Sequence, residues 1–246
     1  MSRTLAWDGL LNVRDLGGLP TEDGARTRFG AVIRADNVRR LRDAGTLLEH
    51  GVTRVVDLRF PTEQEQDLID ELPVDVVHVS LLGEWDDYYR GSLERQMAAS
   101  APPEYLRWSY LEFLERFRRN FGAVISAVAT APDGAVCIHC QGGRDRTGMI
   151  SALLLRLAGV GIEAVAEDYA ASETALAEAH AKWVEDAPDE IERGRRAVFG
   201  HAPRHVMAEV LNELELRYGS VRAYLEAAGV PPEQLDALRE RLREEP

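Results

Sequence analysis

The sequence predicts an α/β fold with a helical C-terminal portion from about residue 161, on three observations. Short β-branched runs alternate with helical patterns in the first part of the chain, and only helical patterns follow. The chain is 246 residues long with 45% hydrophobic content, enough for a sizeable core. There is no internal repeat, low-complexity tract or long linker, so residues 1–246 are expected to form a single domain.

The elements follow in order. The first 30 residues are turn-rich, broken by Gly9, Gly17, Gly18, Pro20, Gly24 and Gly30. Ala31–Arg34 reads as a strand, a helix follows near Leu41–His50, and Val52–Leu58 is a second strand. Thr62 with Glu65 three residues on makes a capping box for a helix running to Leu72. Val74–Leu81 alternates as a third strand. Residues 83–103 show no sustained period, and a loop of that length predicts a lid or binding segment. Leu106, Tyr110, Leu114, Phe117, Phe121, Ile125 and Val128 recur at helical spacing and predict one long amphipathic helix. Ala135–His139 is a fourth strand and Thr147–Leu157 a buried helix. Pro231 and Pro232 open a last charged helix to Arg243.

Charge and composition exclude several classes. Acidic residues outnumber basic ones 42 to 29, a net charge of −13, which argues against general nucleic-acid binding. No apolar run reaches the ~18 residues of a membrane span, and the N-terminus lacks the apolar core of a signal peptide. Two cysteines, Cys137 and Cys140, make no disulfide framework, so the chain is expected to be cytoplasmic and reduced. No spacing suits a metal: His201 and His205 lack the glutamate of H-E-x-x-H, and no cofactor is expected. All basic residues but Lys182 are arginines, so an anion site must use guanidinium forks or backbone amides.

The segment from His139 to Gly148 (HCQGGRDRTG) carries the chemistry. It lies between a buried strand and a buried helix, where backbone N–H groups and the helix dipole favour an anion. Gly142, Gly143 and Gly148 allow close backbone approach. Arg146 falls on the first helical turn, where its fork can grip two phosphoryl oxygens. The same positive field favours a thiolate at Cys140, a nucleophile facing the bound phosphate.

This loop resembles the H-C-x-x-G-x-x-R-[ST]-G signature of cysteine-dependent protein tyrosine phosphatases. Asn12-Val13-Arg14-Asp15-Leu16-Gly17-Gly18, Ile33-Arg34-Ala35-Asp36-Asn37, Val56-Asp57-Leu58-Arg59, Asp168-Tyr169 and Arg217-Tyr218-Gly219-Ser220-Val221 are similar to further words of the bacterial tyrosine/serine phosphatase family. The likeness spans residues 12 to about 242. It departs at Arg144, where the family often has lysine, and at Ala35, where it often has serine.

The resemblance implies a mostly parallel central sheet flanked by helices, and hydrolysis of phosphomonoesters through a phosphocysteine. Cys140 would be the nucleophile, Arg146 the phosphate clamp, and Gln141, Gly142, Gly143, Arg144 and Thr147 the rest of the substrate cradle. The Thr147 hydroxyl would hydrogen-bond the cysteine sulfur, and His139 would orient the loop. A general acid is also required. Within the acidic stretch Glu84, Asp86 and Asp87, Asp86 is favoured, while Asp145 either assists acid–base chemistry or complements the helix dipole. Phosphorylated protein is the first substrate class. Inositol phosphates or phosphoinositides are an alternative, given the charge of Arg144 and the Arg39, Arg40 and Arg42 cluster. An inactive phosphate-binding module and a rhodanese-like sulfurtransferase are rivals, opposed by the intact Cys140, Arg146 and Thr147. Cys137 could resolve an oxidised Cys140.

Overall fold

Four short segments, β2 (Val32–Ala35), β3 (Val52–Asp57), β4 (Asp75–His78) and β5 (Ala135–His139), pair in parallel, and β1 (Arg14–Asp15) adds antiparallel to β2. The sheet order is β1-β2-β5-β3-β4, which puts β5 in the middle with all five of its residues buried. The computed structural model describes every residue except 1, 65, 66, 68, 70, 199, 245 and 246.

Strand alternation divides the interior into two layers. Val136 and Ile138 of β5 join Val32 and Val56 in the larger core, on the side covered by most of the helices. Ala135 and Cys137 face the other way, into a smaller core with Trp7, Ile33, Leu47 and Val55. The larger layer holds α2 (Asp87–Ala99), α3 (Pro102–Arg116), α4 (Arg118–Ala129), α5 (Asp145–Leu157) and the C-terminal helices. Those are α6 (Ile162–Glu185), α8 (Arg204–Tyr218), α9 (Val221–Ala227) and α10 (Pro232–Leu242), while α7 (Glu190–Val198) packs on α6. α5 packs against α4, α6, α9 and α10, so it is apolar on nearly every side, as a helix enclosed by helices must be.

The helical C-terminal portion, the buried helix ending at Leu157 and the four parallel strands stand close to where the sequence places them. Four other expectations need correction. Residues 83–103 are not an irregular loop, because most of them form α2, with Asp86 accepting a 2.7 Å hydrogen bond from the Tyr89 amide as its N-cap. Only Tyr89 and Leu93, four residues apart, anchor that helix, too few to show a period. The expected long helix is two, α3 and α4, separated at Phe117 (φ −104°, ψ 21°). The apolar period continues through the break because the chain resumes helical turns at once. Of the helix expected from Thr62 to Leu72, residues 65, 66, 68 and 70 lie outside the described ones; the described part holds a 3₁₀ turn at Pro61–Glu63. Glu65, the expected capping partner, lies outside the described residues; Glu63 instead accepts from the Phe60 amide at 2.8 Å. The expected helix near Leu41–His50 is a 3₁₀ turn at Val38–Arg40 followed by α1 (Gly45–Glu49). β1 was not foreseen; two residues are too few for a pattern.

Candidate active site

The candidate site lies at the carboxyl end of the central strand, the place where open parallel sheets bind ligands. β5 ends at His139, the chain turns through Cys140–Arg144, and α5 begins at Asp145. Cys140 is buried against the larger core, at 3% exposure.

Three contacts shape the loop. Asn12 Nδ2 donates to the Gly142 carbonyl at 3.0 Å, Arg34 Nη2 donates to the Gly143 carbonyl at 2.7 Å, and Asn37 N donates to the Gln141 carbonyl at 3.3 Å. Each trans peptide points its N–H opposite its C=O. The amides that follow these carbonyls therefore face away from Asn12, Arg34 and Asn37, toward the inside of the loop. Gly143 is required here: its φ is +66°, and a Cβ would lie 2.5 Å from the Ala35 carbonyl oxygen. Gly148 meets Tyr169 in the same way, with a Cβ placed 2.9 Å from its ring. The Ala35 seen as a lost hydroxyl in sequence thus acts through its backbone.

Arg34 and Arg14 are held in turn by Asp168 of α6. Arg34 Nη1 meets its carboxylate at 2.7 Å and Arg14 Nε at 3.0 Å, and Arg3 also pairs with it. Arg14 further binds Asn12 Oδ1 at 2.6 Å, which links the two side chains that pull the loop carbonyls back. Burial works to raise the pKa of Asp168, but Arg34, Arg14 and Arg3 outweigh it and keep the group ionised. Burial and the neighbouring Arg34 push Arg14 down to about 10. Three guanidinium groups thus share this one carboxylate behind the loop.

On the cavity side, Arg146 meets Glu63 through both terminal nitrogens, at 2.5 and 2.8 Å, and lies over the Phe60 ring with 5.2 Å to its centroid. Asp145 pairs with Arg144 at 3.0 Å and accepts from the Tyr110 hydroxyl. Burial opposes ionisation of Asp145, but the charge and hydrogen bonds of Arg144, together with the Tyr110 hydroxyl, hold it below the usual carboxylate range. The Thr147 hydroxyl is fully buried and has no hydrogen-bond partner among the described residues. Behind Cys140, His139 Nδ1 lies 3.3 Å from the Cys140 carbonyl, and burial lowers its pKa to about 4, so the ring is neutral at pH 7.

A cavity of about 540 Å³ opens beside the first turn of α5, and of the residues from Cys140 to Thr147 only Asp145 and Arg146 line it. Phe60, Trp85, Tyr105, Tyr110 and Phe113 make its aromatic wall, Asp145 and Arg146 its polar end, and Arg90, Arg195 and Arg196 part of its rim. The expected site residues therefore separate. Cys140, Gln141, Gly142, Gly143, Asp145, Arg146 and Thr147 gather at the loop. Arg144 is turned onto Asp145, with its guanidinium 3.0 Å from the carboxylate. Asp86 is exposed and its carboxylate is taken up by the Tyr89 amide as the cap of α2. Arg14, Asp36 and Arg59 are buried in internal contacts: Arg59 pairs with Asp57 and Asp67, and Asp36 accepts from the Asn12 amide at 3.0 Å. Cys137 lies in the smaller core, on the opposite face of the sheet from Cys140, a poor place for a resolving thiol. Glu63 and Tyr110 were missed by sequence reasoning. Glu63 carried only the weak signal of a carboxylate just beyond Asp57-Leu58-Arg59.

A glycine-shaped loop between a parallel strand and a buried helix, with a cysteine at its root and an arginine fork at its end, defines a class of proteins that take up a phosphoryl group. Within it, the chain matches the tyrosine phosphatase family over residues 5–244 and belongs to that family. It is 31% identical over 224 residues to a tyrosine-protein phosphatase of Nostoc commune, covering 86% of this chain and 74% of that protein. It is 25% identical to the triple specificity protein phosphatase PtpB of Mycobacterium tuberculosis, covering 94% and 96% of the two chains. The protein is a phosphatase.

Proposed function

We propose that the chain hydrolyses aryl phosphomonoesters, phosphotyrosine in proteins above all, through a phosphocysteine at Cys140. The observation that carries this reading is the loop itself, whose carbonyls are tied outward by Asn12, Arg34 and Asn37 beside the Arg146 fork. Phosphate oxygens bind the inward amides and Arg146. The Cys140 sulfur attacks phosphorus, the bond to the leaving oxygen breaks, and that oxygen takes a proton. Water then attacks phosphorus and returns the sulfur as thiolate, with the Thr147 hydroxyl free to hydrogen-bond it. Electrostatic positioning supplies most of the acceleration. The aromatic wall favours an aryl group beside Asp145 and Arg146.

Asp145 is the proton donor on this reading, because it stands in the cavity wall next to Arg146 while Asp86 is committed to the Tyr89 amide. Its lowered pKa means that the protonated form is present mainly at acid pH, and a bound phosphate dianion would raise it. The second reading, a phosphoinositide or inositol-phosphate substrate, rests on Arg90, Arg195 and Arg196 at the rim, of which Arg195 and Arg196 already pair there with Glu94 and Glu192.

Hydrolysis of p-nitrophenyl phosphate by wild type and Cys140→Ser tests the proposal. The expected result is vanadate-sensitive turnover that disappears in the variant while phosphate binding persists. Turnover retained by folded Cys140→Ser protein would refute the phosphocysteine. Comparing phosphotyrosine peptide with soluble inositol phosphates decides between the two substrate classes.

A further inference from the structure

Two tyrosines from separate helices meet behind Asp145. Tyr110 of α3 donates to Asp145 Oδ1, and the hydroxyls of Tyr110 and Tyr169 of α6 lie 2.8 Å apart. Chemistry fixes the direction of this chain. An ionised carboxylate only accepts, so Tyr110 spends its one proton on Asp145, and Tyr169 must donate to Tyr110. Burial raises the pKa of both phenols, so both keep their protons at neutral pH. The rings meet edge to face, with centroids 6.1 Å apart, and Tyr169 is also wedged against Gly148. The hydroxyl pair is therefore locked to the start of the helix that carries Asp145.

We infer that Tyr110, backed by Tyr169, is a positioning residue that aims the Asp145 carboxyl into the cavity and sets the pH at which it gives up its proton. This rests on Asp145 as proton donor. The other groups facing Asp145 are Arg144 and Arg146 from the loop and α5, and Tyr105 from α3. Arg144 and Arg146 favour the carboxylate, as does the Tyr110 hydrogen bond, whereas Tyr105 titrates too high to change charge near neutrality. Removing the Tyr110 hydroxyl deletes one group that favours the carboxylate, so the protonated acid persists to higher pH. It also frees the carboxyl to rotate, which lowers the maximal rate.

The test is the pH profile of kcat/KM for wild type, Tyr110→Phe, Tyr169→Phe and Asp145→Asn, on p-nitrophenyl phosphate and phenyl phosphate. The phenylalanine variants keep the ring packing, and a thermal melt confirms that they fold. Phenyl phosphate has the more basic leaving group and depends more on the acid. Asp145→Asn should lose about 10²-fold on it, lose less on p-nitrophenyl phosphate, and lose the alkaline limb. Tyr110→Phe should keep the limb but move it to higher pH, with roughly tenfold lower kcat on phenyl phosphate, in line with the cost of small misplacements. Tyr169→Phe should move it less in the same direction. An unmoved limb in Tyr110→Phe, together with a lost limb in Asp145→Asn, overturns the inference and leaves the proton donor standing. A limb retained in Asp145→Asn overturns the proton donor itself.

Discussion

Arg146 shows how one side chain can be read correctly and still incompletely. Its place on the first turn of α5 points to phosphate, but the grip of Glu63 on both terminal nitrogens comes from 83 residues away in sequence. The pair is largely shielded, with side-chain exposures of 13% and 24%; burial opposes the charge on Glu63, but Arg146, the Phe60 amide and Arg59 together outweigh it and lower its pKa. Two opposite effects follow from that carboxylate. It fixes the fork, and it repels an incoming dianion. A misplacement of about 1 Å can cost on the order of 10²-fold in rate, so positioning is expected to win. Glu63→Ala should therefore lower kcat/KM by about 10- to 100-fold on p-nitrophenyl phosphate, with little change in melting temperature. Tighter binding of inorganic phosphate with undiminished turnover would show that repulsion dominates. The contiguous loop was legible in sequence because a strand, glycines and a helix start dictate it locally. Glu63 and Tyr110 were not, since nothing local marks a contact made across the fold.

At the scale of elements, legibility followed the strength of the periodic signal. β5 and α5 are buried on all sides and their apolar runs announce them, whereas α2 turns a polar surface outward and holds on through Tyr89 and Leu93 alone. Asn12, Arg14, Arg34 and Asp168 could be picked out as family words, but not their joint task. That task is to connect the N-terminal segment, β2 and α6 behind one loop, across separations of 109 and 130 residues for Arg34 and Asn12. Asp168 is the hub, 3% exposed, and Arg34 beside it is fully buried. Removing one member of a buried ion cluster typically costs ~3–5 kcal/mol, because the remaining charge stays buried without its partner. Asp168→Asn is expected to lose that much in urea unfolding and to lose activity with it. A loss below about 1 kcal/mol would mean that the arginines find other partners and that the hub is dispensable.

For the whole molecule, acid pH sets two tendencies against each other. The net charge of −13 shrinks as carboxylates take up protons, which relieves self-repulsion in the compact state. His139 acts the other way. It is fully buried at the end of the central strand, and burial lowers its pKa to about 4, despite an opposing pull from Asp57. An unfolded histidine titrates near ~6.5, so between that value and about 4 the unfolded chain binds a proton that the folded chain refuses. Stability contributed by the neutral ring is thus complete above pH ~6.5 and falls as pH drops through this window, by roughly 3 kcal/mol in all. Asp57 cannot produce the same loss there. Burial raises its pKa, but Arg59 and His139 bring it down to about 2, so its contribution is lost only as pH falls from ~3.9 toward that value. Urea unfolding between pH 7 and pH 4 should therefore show a decline in wild type that His139→Gln lacks, whatever the starting stability of the variant. Relief of self-repulsion is common to both proteins and cancels in the comparison. Parallel pH dependences in the two would mean that His139 accepts its proton inside the fold, with Asp57 then holding it as a buried ion pair.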